Sequence, residues 1–93
     1  MAAGFDATGS YLLVISHAGR GVFAANSWSL VARDSELAYP EDGCVVGIGP
    51  IDGVRIHVKE KDYDSGRLQF TSPNGEFELV YEDGTLTIAD AGP

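Results

Sequence analysis

"VRIHVKEKDYDSGRLQFTSPNGEFELVYEDGTLTIAD", Val54 to Asp90, alternates apolar and polar residues in four separate runs. Val54, Ile56 and Val58 interleave with Arg55, His57 and Lys59, and Leu68 and Phe70 with Gln69 and Thr71. Phe77, Leu79 and Tyr81 interleave with Glu76, Glu78, Val80 and Glu82, and Leu86 and Ile88 with Thr85 and Thr87. A period of two belongs to a strand with one buried face. Turn formers separate the runs. Lys61-Asp62-Tyr63-Asp64-Ser65-Gly66 is polar, Ser72-Pro73-Asn74-Gly75 combines a fixed φ with residues that accept positive φ, and Glu82-Asp83-Gly84 reverses the chain again. Together they predict an antiparallel meander over 54–89.

Working upstream, Tyr11-Leu12-Leu13-Val14-Ile15 is apolar on both faces, as a central, doubly covered strand would be. His17-Ala18-Gly19-Arg20-Gly21 interrupts it, and Val22-Phe23-Ala24-Ala25 returns as a hairpin partner. Residues 27–38 fit two patterns. A helix capped by Asn26 or Ser27 places Trp28, Val31, Ala32 and Ser35 on one face, whereas a strand alternates Trp28, Leu30 and Ala32. Cys44-Val45-Val46-Gly47-Ile48 reads as a further strand after the Tyr39–Gly43 turn. Residues 1–9 and 90–93 show no pattern and are expected to be flexible tails. The expected fold is mainly β: a small single-domain antiparallel sheet forming a sandwich or partly open barrel, with a short helix over 27–38 as one of two readings.

The loop Gly47-Ile48-Gly49-Pro50-Ile51-Asp52-Gly53 invites comparison with a phosphate cradle. A dinucleotide fingerprint needs G-x-G-x-x-G opening a helix, so that free N–H groups and the helix dipole meet pyrophosphate. Here Pro50 removes a donor, the spacing is wrong, and a strand follows. A tight joint between strands fits better.

The chain has 93 residues, enough for one small core. Its single cysteine, Cys44, cannot build an intramolecular disulfide framework and suits a reducing compartment. No run approaches the ~18 apolar residues of a membrane span. The start MAAGFDATGS has neither a basic nor an apolar leader region, so the expected location is cytoplasmic. Net charge is −8. That surface disfavours nucleic acid and anionic lipid, both of which are bound by Lys and Arg, and admits a basic protein partner. Residues 34–52 and 68–93 each carry −5, while 1–33 and 53–67 each carry +1.

Other constellations are weak. Asp62-Tyr63-Asp64-Ser65-Gly66 departs from a calcium loop, with Pro73 where the bidentate Glu belongs. Cys44, His17 and His57 lack zinc spacing; a Cys44–His57 dyad depends on geometry. His57 is expected in solvent between Arg55 and Lys59, and Tyr63 at an exposed loop tip. The turn His17-Ala18-Gly19-Arg20-Gly21 could hold an anion only weakly. No metal, cofactor or catalytic set is expected.

What remains is a non-enzymatic interaction module, most concretely an acidic inhibitor or immunity-type protein neutralising a basic partner. The expected contact residues are Glu76, Glu78, Glu82 and Asp83, joined by Glu36, Glu41 and Asp42, with Trp28 or Tyr39 as apolar anchor. In so small a domain Trp28 also suits the centre of the core. Two alternatives stand beside this reading. One is a small-ligand or anion-binding barrel using His17, Arg20, Arg55 and His57; the other is a homo-oligomeric subunit, such as a homodimer, paired through open sheet edges.

Overall fold

The computed structural model describes residues 1–25, 27–37, 39–62 and 64–90. It is mainly β, as the alternation implies, and holds two antiparallel sheets. The larger is formed by β1 (Ala2–Asp6), β2 (Tyr11–Ser16), β3 (Gly19–Ala24), β4 (Leu30–Asp34), β5 (Cys44–Val46) and β6 (Val54–Glu60), in the order β4-β3-β2-β1-β6-β5. The smaller holds β7 (Leu68–Thr71), β8 (Phe77–Glu82) and β9 (Thr85–Asp90) in sequence order. A Cα radius of gyration of 12.1 Å matches the roughly 12 Å expected of one compact domain of this length.

Each face of the larger sheet has its own core. On one face the sheet curls around Leu13, Ile15, Val22, Val46, Ile56 and Val58. The joint between β5 and β6 closes the curl: a 3₁₀ turn, Gly49–Ile51, buries Ile51 and brings Gly49 against Ala32 of β4. Gly49 has φ +52°, and a Cβ there would lie 2.4 Å from the Ala32 Cβ, so only glycine permits this approach. The glycine-proline loop is therefore a joint and a plug. The opposite face packs Ala3, Phe5 and Leu12 against Leu68, Phe77 and Leu79 of the smaller sheet, as in a sandwich.

The N-terminal segment corrects the sequence expectation. Residues 2–6 form the strand between β2 and β6, and every one of them is buried. Small side chains explain both the burial and the missing pattern. Ala2 packs into the curl, Ala3 and Phe5 into the sandwich, and Gly4 lets β1 approach β6 so closely that a Cβ would stand 2.5 Å from the His57 carbonyl oxygen. The Asp6 carboxylate is buried at the end of this strand, accepting the Tyr11 N–H at 3.0 Å and the Thr8 hydroxyl at 2.5 Å. At the other terminus, residue 90 ends β9, and 91–93 lie outside the described residues.

Two further expectations change. Residues 30–34 are strand, not helix. Val22 faces Ala32 and Phe23 faces Leu30, so Val31 is the extra residue of a β-bulge. Trp28, at φ +52°, turns the chain into β4, and its ring packs edge-on against Phe5 and Phe77. Trp28 and Ala32 thus serve different cores, which a one-faced helix could not do. The Asn26 cap and the tip residue Tyr63 lie outside the described residues. The meander also divides: β6 pairs with β1 and β5, leaving β7, β8 and β9 as the consecutive set.

Hydrogen bonds fix how the sheets meet. The Asn74 side-chain amide donates to the Thr8 carbonyl at 2.6 Å, tying the β7–β8 turn to the β1–β2 turn. Ser72, buried beside it, donates to Asn74 and accepts the Phe77 N–H. Within the larger sheet, the Lys61 N–H donates to the Met1 carbonyl and extends the β1–β6 ladder by one residue.

Candidate functional site

The register settles the nucleophile question. Cys44 faces Ile56 across β5 and β6, so its side chain shares the face of the curl's core. Strand neighbours alternate, and His57 therefore points to the other face. There its Nδ1 stands 3.7 Å from Asp42, while Lys59 Nζ lies 3.9 Å from the same carboxylate. Among the described residues no group of three His, Cys, Asp or Glu side chains is placed to hold a metal. Asp62 instead spends its carboxylate on its own loop, accepting the N–H groups of Asp64 and Ser65.

The four residues of the anion reading stand apart. His17 lies exposed in the two-residue turn between β2 and β3. Arg20 makes a two-point contact with Asp34, Nε to Oδ1 at 3.0 Å and Nη2 to Oδ2 at 2.6 Å. Arg55 donates to the Gly43 carbonyl, and β1 and β2 separate it and His57 from Arg20 in the sheet. The Arg20 hydrogen bonds, aided by the Glu36 N–H, hold the Asp34 carboxyl below its ordinary range. A depressed folded-state pKa adds stability above the unfolded value, and that stability is lost as pH falls through the folded one. Because the pair is solvent-screened, Asp34→Asn is expected to cost under about 1 kcal/mol at pH 7. In urea unfolding the difference from wild type closes as pH falls below about 4.

The acidic residues singled out by sequence are distributed over the molecule. Glu78 and Glu82 sit on the outer face of β8, where Glu78 accepts from Gln69 and Glu82 pairs with Arg67 at 3.0 Å. Glu76 is exposed in the turn before β8, and Asp83, at φ +52°, occupies the β8–β9 turn with Gly84. Glu36 and Glu41 are exposed in the β4–β5 connection, while Asp42 leans on β6 of the larger sheet. The two acidic blocks thus belong to different sheets. Trp28 is half-buried among phenylalanine rings. Tyr39 is different.

Tyr39 stands with Leu37 at one end of the sandwich, over an open groove of about 520 Å³ whose walls include Tyr81, Leu86, His17 and Lys61. Leu37, Tyr39 and Leu86 are 56%, 41% and 36% exposed. The groove continues along the side of the molecule. Leu12, Phe23, Trp28, Leu86 and Ile88 line a second hollow of about 280 Å³ beside β9. Val14, Gly21, Phe23 and Leu30 border a third, of about 290 Å³, on the uncovered face of β3 and β4. Apolar surface grouped in this way on a small acidic protein is a candidate contact region.

The chain matches no protein-family model, no curated protein and no solved structure. Its geometry alone carries the functional argument.

The sequence names Tyr39 as a candidate anchor but not Leu30, Leu37, Leu86 and Ile88, which line the same series of hollows. Two signals were present. Leu30 and Leu37 are large apolar residues in a segment without clean periodicity, and Thr85–Ala89 is a strand with no charge, whereas β6 and β8 are charged on their outer faces. Among the described residues no helix is long and apolar enough to cross a membrane.

Proposed function

We propose that this chain is a non-enzymatic interaction module that binds a basic protein in the cytoplasm, as an acidic inhibitor or immunity-type protein binds its target. The groove around Tyr39 carries this reading, because Leu37, Tyr39 and Leu86 form an exposed apolar seat on a molecule of net charge −8. An apolar seat supplies affinity by excluding water, and a tyrosine is a favoured anchor in such seats. The acidic residues need not form one patch to assist. Their summed field steers a basic partner and raises its association rate. The ligand-binding alternative draws less support, since Arg20 and Arg55 are engaged within the protein and side chains fill the curl.

The test is capture of a partner by tagged protein at about 50 mM salt and again at about 500 mM, where screening shortens to a few ångströms. The expected result is a basic protein held stoichiometrically at low salt and released at high salt. Tyr39→Ala is expected to weaken that complex by about tenfold or more, chiefly through faster dissociation. Glu76→Lys and Glu82→Lys are expected to slow association instead. A partner held equally well by Tyr39→Ala, at either salt concentration, refutes the reading.

A further inference from the structure

We infer that the side of the molecule along β9 receives an extended segment of the partner as a fourth strand of the smaller sheet, an uncharged apolar-alternating stretch with basic residues at its ends. The inference rests on the interaction reading and specifies its mode.

The backbone makes the first argument. Asp83 and Gly84, both at positive φ, form a two-residue hairpin turn, so the closing pair Glu82 and Thr85 exchanges its backbone hydrogen bonds. Alternation along the ladder then directs the N–H and C=O groups of Leu86, Ile88 and Asp90 to the outer edge. Among the described residues no strand pairs with that edge. Nothing in Thr85-Leu86-Thr87-Ile88-Ala89 protects it, for it has no lysine, proline or bulge.

The floor beside this edge is already built. β7 touches only the margin of β6, whose charged face stays in solvent, and β9 lies beside Leu12 and Phe23, so the smaller sheet packs over β1 and β2. β3 and β4 extend beyond it. Register puts Gly21 opposite Val14, Phe23 opposite Leu12, and Leu30 opposite Phe23, all on the sandwich face. A strand placed about 4.8 Å beyond β9, at the usual separation of about 10 Å between sheets, would lie over β3. Gly21 has no side chain to obstruct it, and Phe23 and Leu30 offer apolar contact. Arg20 and Asp34 neutralise each other at the margin, where Arg33 adds a positive charge.

The occupant follows from shape and charge. A second copy pairing through its own β9 would bring its own β3–β4 extension into the layer that this floor occupies. Two chains of −8 would also repel. A single extended segment has neither difficulty. The edge is uncharged through its centre and bounded by Asp83 below and Asp90 above, which calls for a neutral centre and Lys or Arg at the ends.

The experiment selects binders from a phage-displayed library of random nine-residue peptides at about 50 mM salt, then titrates the selected peptide into isotope-labelled protein. Expected are peptides with apolar residues at alternate positions and basic ends, and about tenfold or greater hydrogen-exchange protection of the Leu86 and Ile88 amides. Leu86→Pro removes an edge donor but no ladder bond to β8, so it is expected to weaken binding about tenfold, whereas Leu86→Val preserves it. If Leu86→Pro does not fold, the wild-type exchange pattern decides. Protection confined to Leu37 and Tyr39, or equal binding by folded Leu86→Pro, overturns strand addition while leaving the interaction reading intact. A selection without binders overturns it too, and the interaction reading is then judged by the Tyr39→Ala measurement.

Discussion

A chain lacking residues 1–6 is expected to lose its cooperative unfolding transition altogether. These residues include the strand between β2 and β6, and removing it leaves both with unpaired backbone in the middle of a sheet. The same deletion takes Ala2 out of one core and Ala3 and Phe5 out of the other. Phe5 alone stacks on Phe77 and meets the Phe70 and Trp28 rings edge-on. Phe5→Ala is expected to cost about 3–5 kcal/mol by loss of transfer energy and opening of a cavity. A domain of this size has roughly 5–15 kcal/mol in total, so the full deletion exceeds what the fold can lose. Near-ultraviolet circular dichroism and urea titration check both. A truncated chain that still unfolds cooperatively, within about 1 kcal/mol of the intact protein, would return these residues to the status of a tail.

The contrast between the N-terminal strand and the C-terminal half explains what could be read from sequence. β6, β7 and β8 each pair a more buried face with a wetter one, and that asymmetry is what alternation records; β9 keeps the alternation although only Ile88 in it is half-buried. β1 has no wet face. Ala2, Ala3 and Gly4 are small enough to fit between two cores, and Ala-Ala-Gly resembles the composition of a mobile end. β4 was ambiguous for another reason. The bulge at Val31 shifts the alternation by one residue, which brings Trp28, Val31 and Ala32 close to helical spacing. Pairing of β6 with β1 rather than β7 brings together residues fifty or more positions apart, and no local pattern encodes such a choice. The candidate site shows the same limit. Tyr39 could be named as an anchor because tyrosine beside an acidic run has an interfacial chemistry of its own. The β9 slot could not, because it exists only where the smaller sheet stops short of β3 and β4, and sheet width is a property of topology.

Ile51→Ala is expected to destabilise the protein by about 2–5 kcal/mol. Ile51 is fully buried and fills the curl from a turn of three residues, so no neighbouring strand can collapse into the space it leaves. Gly49→Val attacks the same closure from the backbone, since φ +52° and the Ala32 contact both exclude a side chain. The midpoint of urea unfolding measures each; a change under about 1 kcal/mol for Ile51→Ala would mean that the joint does not close the curl. The consequence for function is a separation. The curl's core and the β9 slot lie on opposite faces of the larger sheet, because Leu13, Ile15 and Val22 alternate with Leu12, Val14 and Phe23. Well below its melting temperature, Ile51→Ala is therefore expected to bind the selected peptide with unchanged affinity despite its lower stability. Leu86→Pro should do the reverse, unfolding near the wild-type midpoint while losing the peptide. Opposite responses from the two variants would place recognition on the sandwich side and closure in the curl, whereas parallel losses would show that one rigid body serves both.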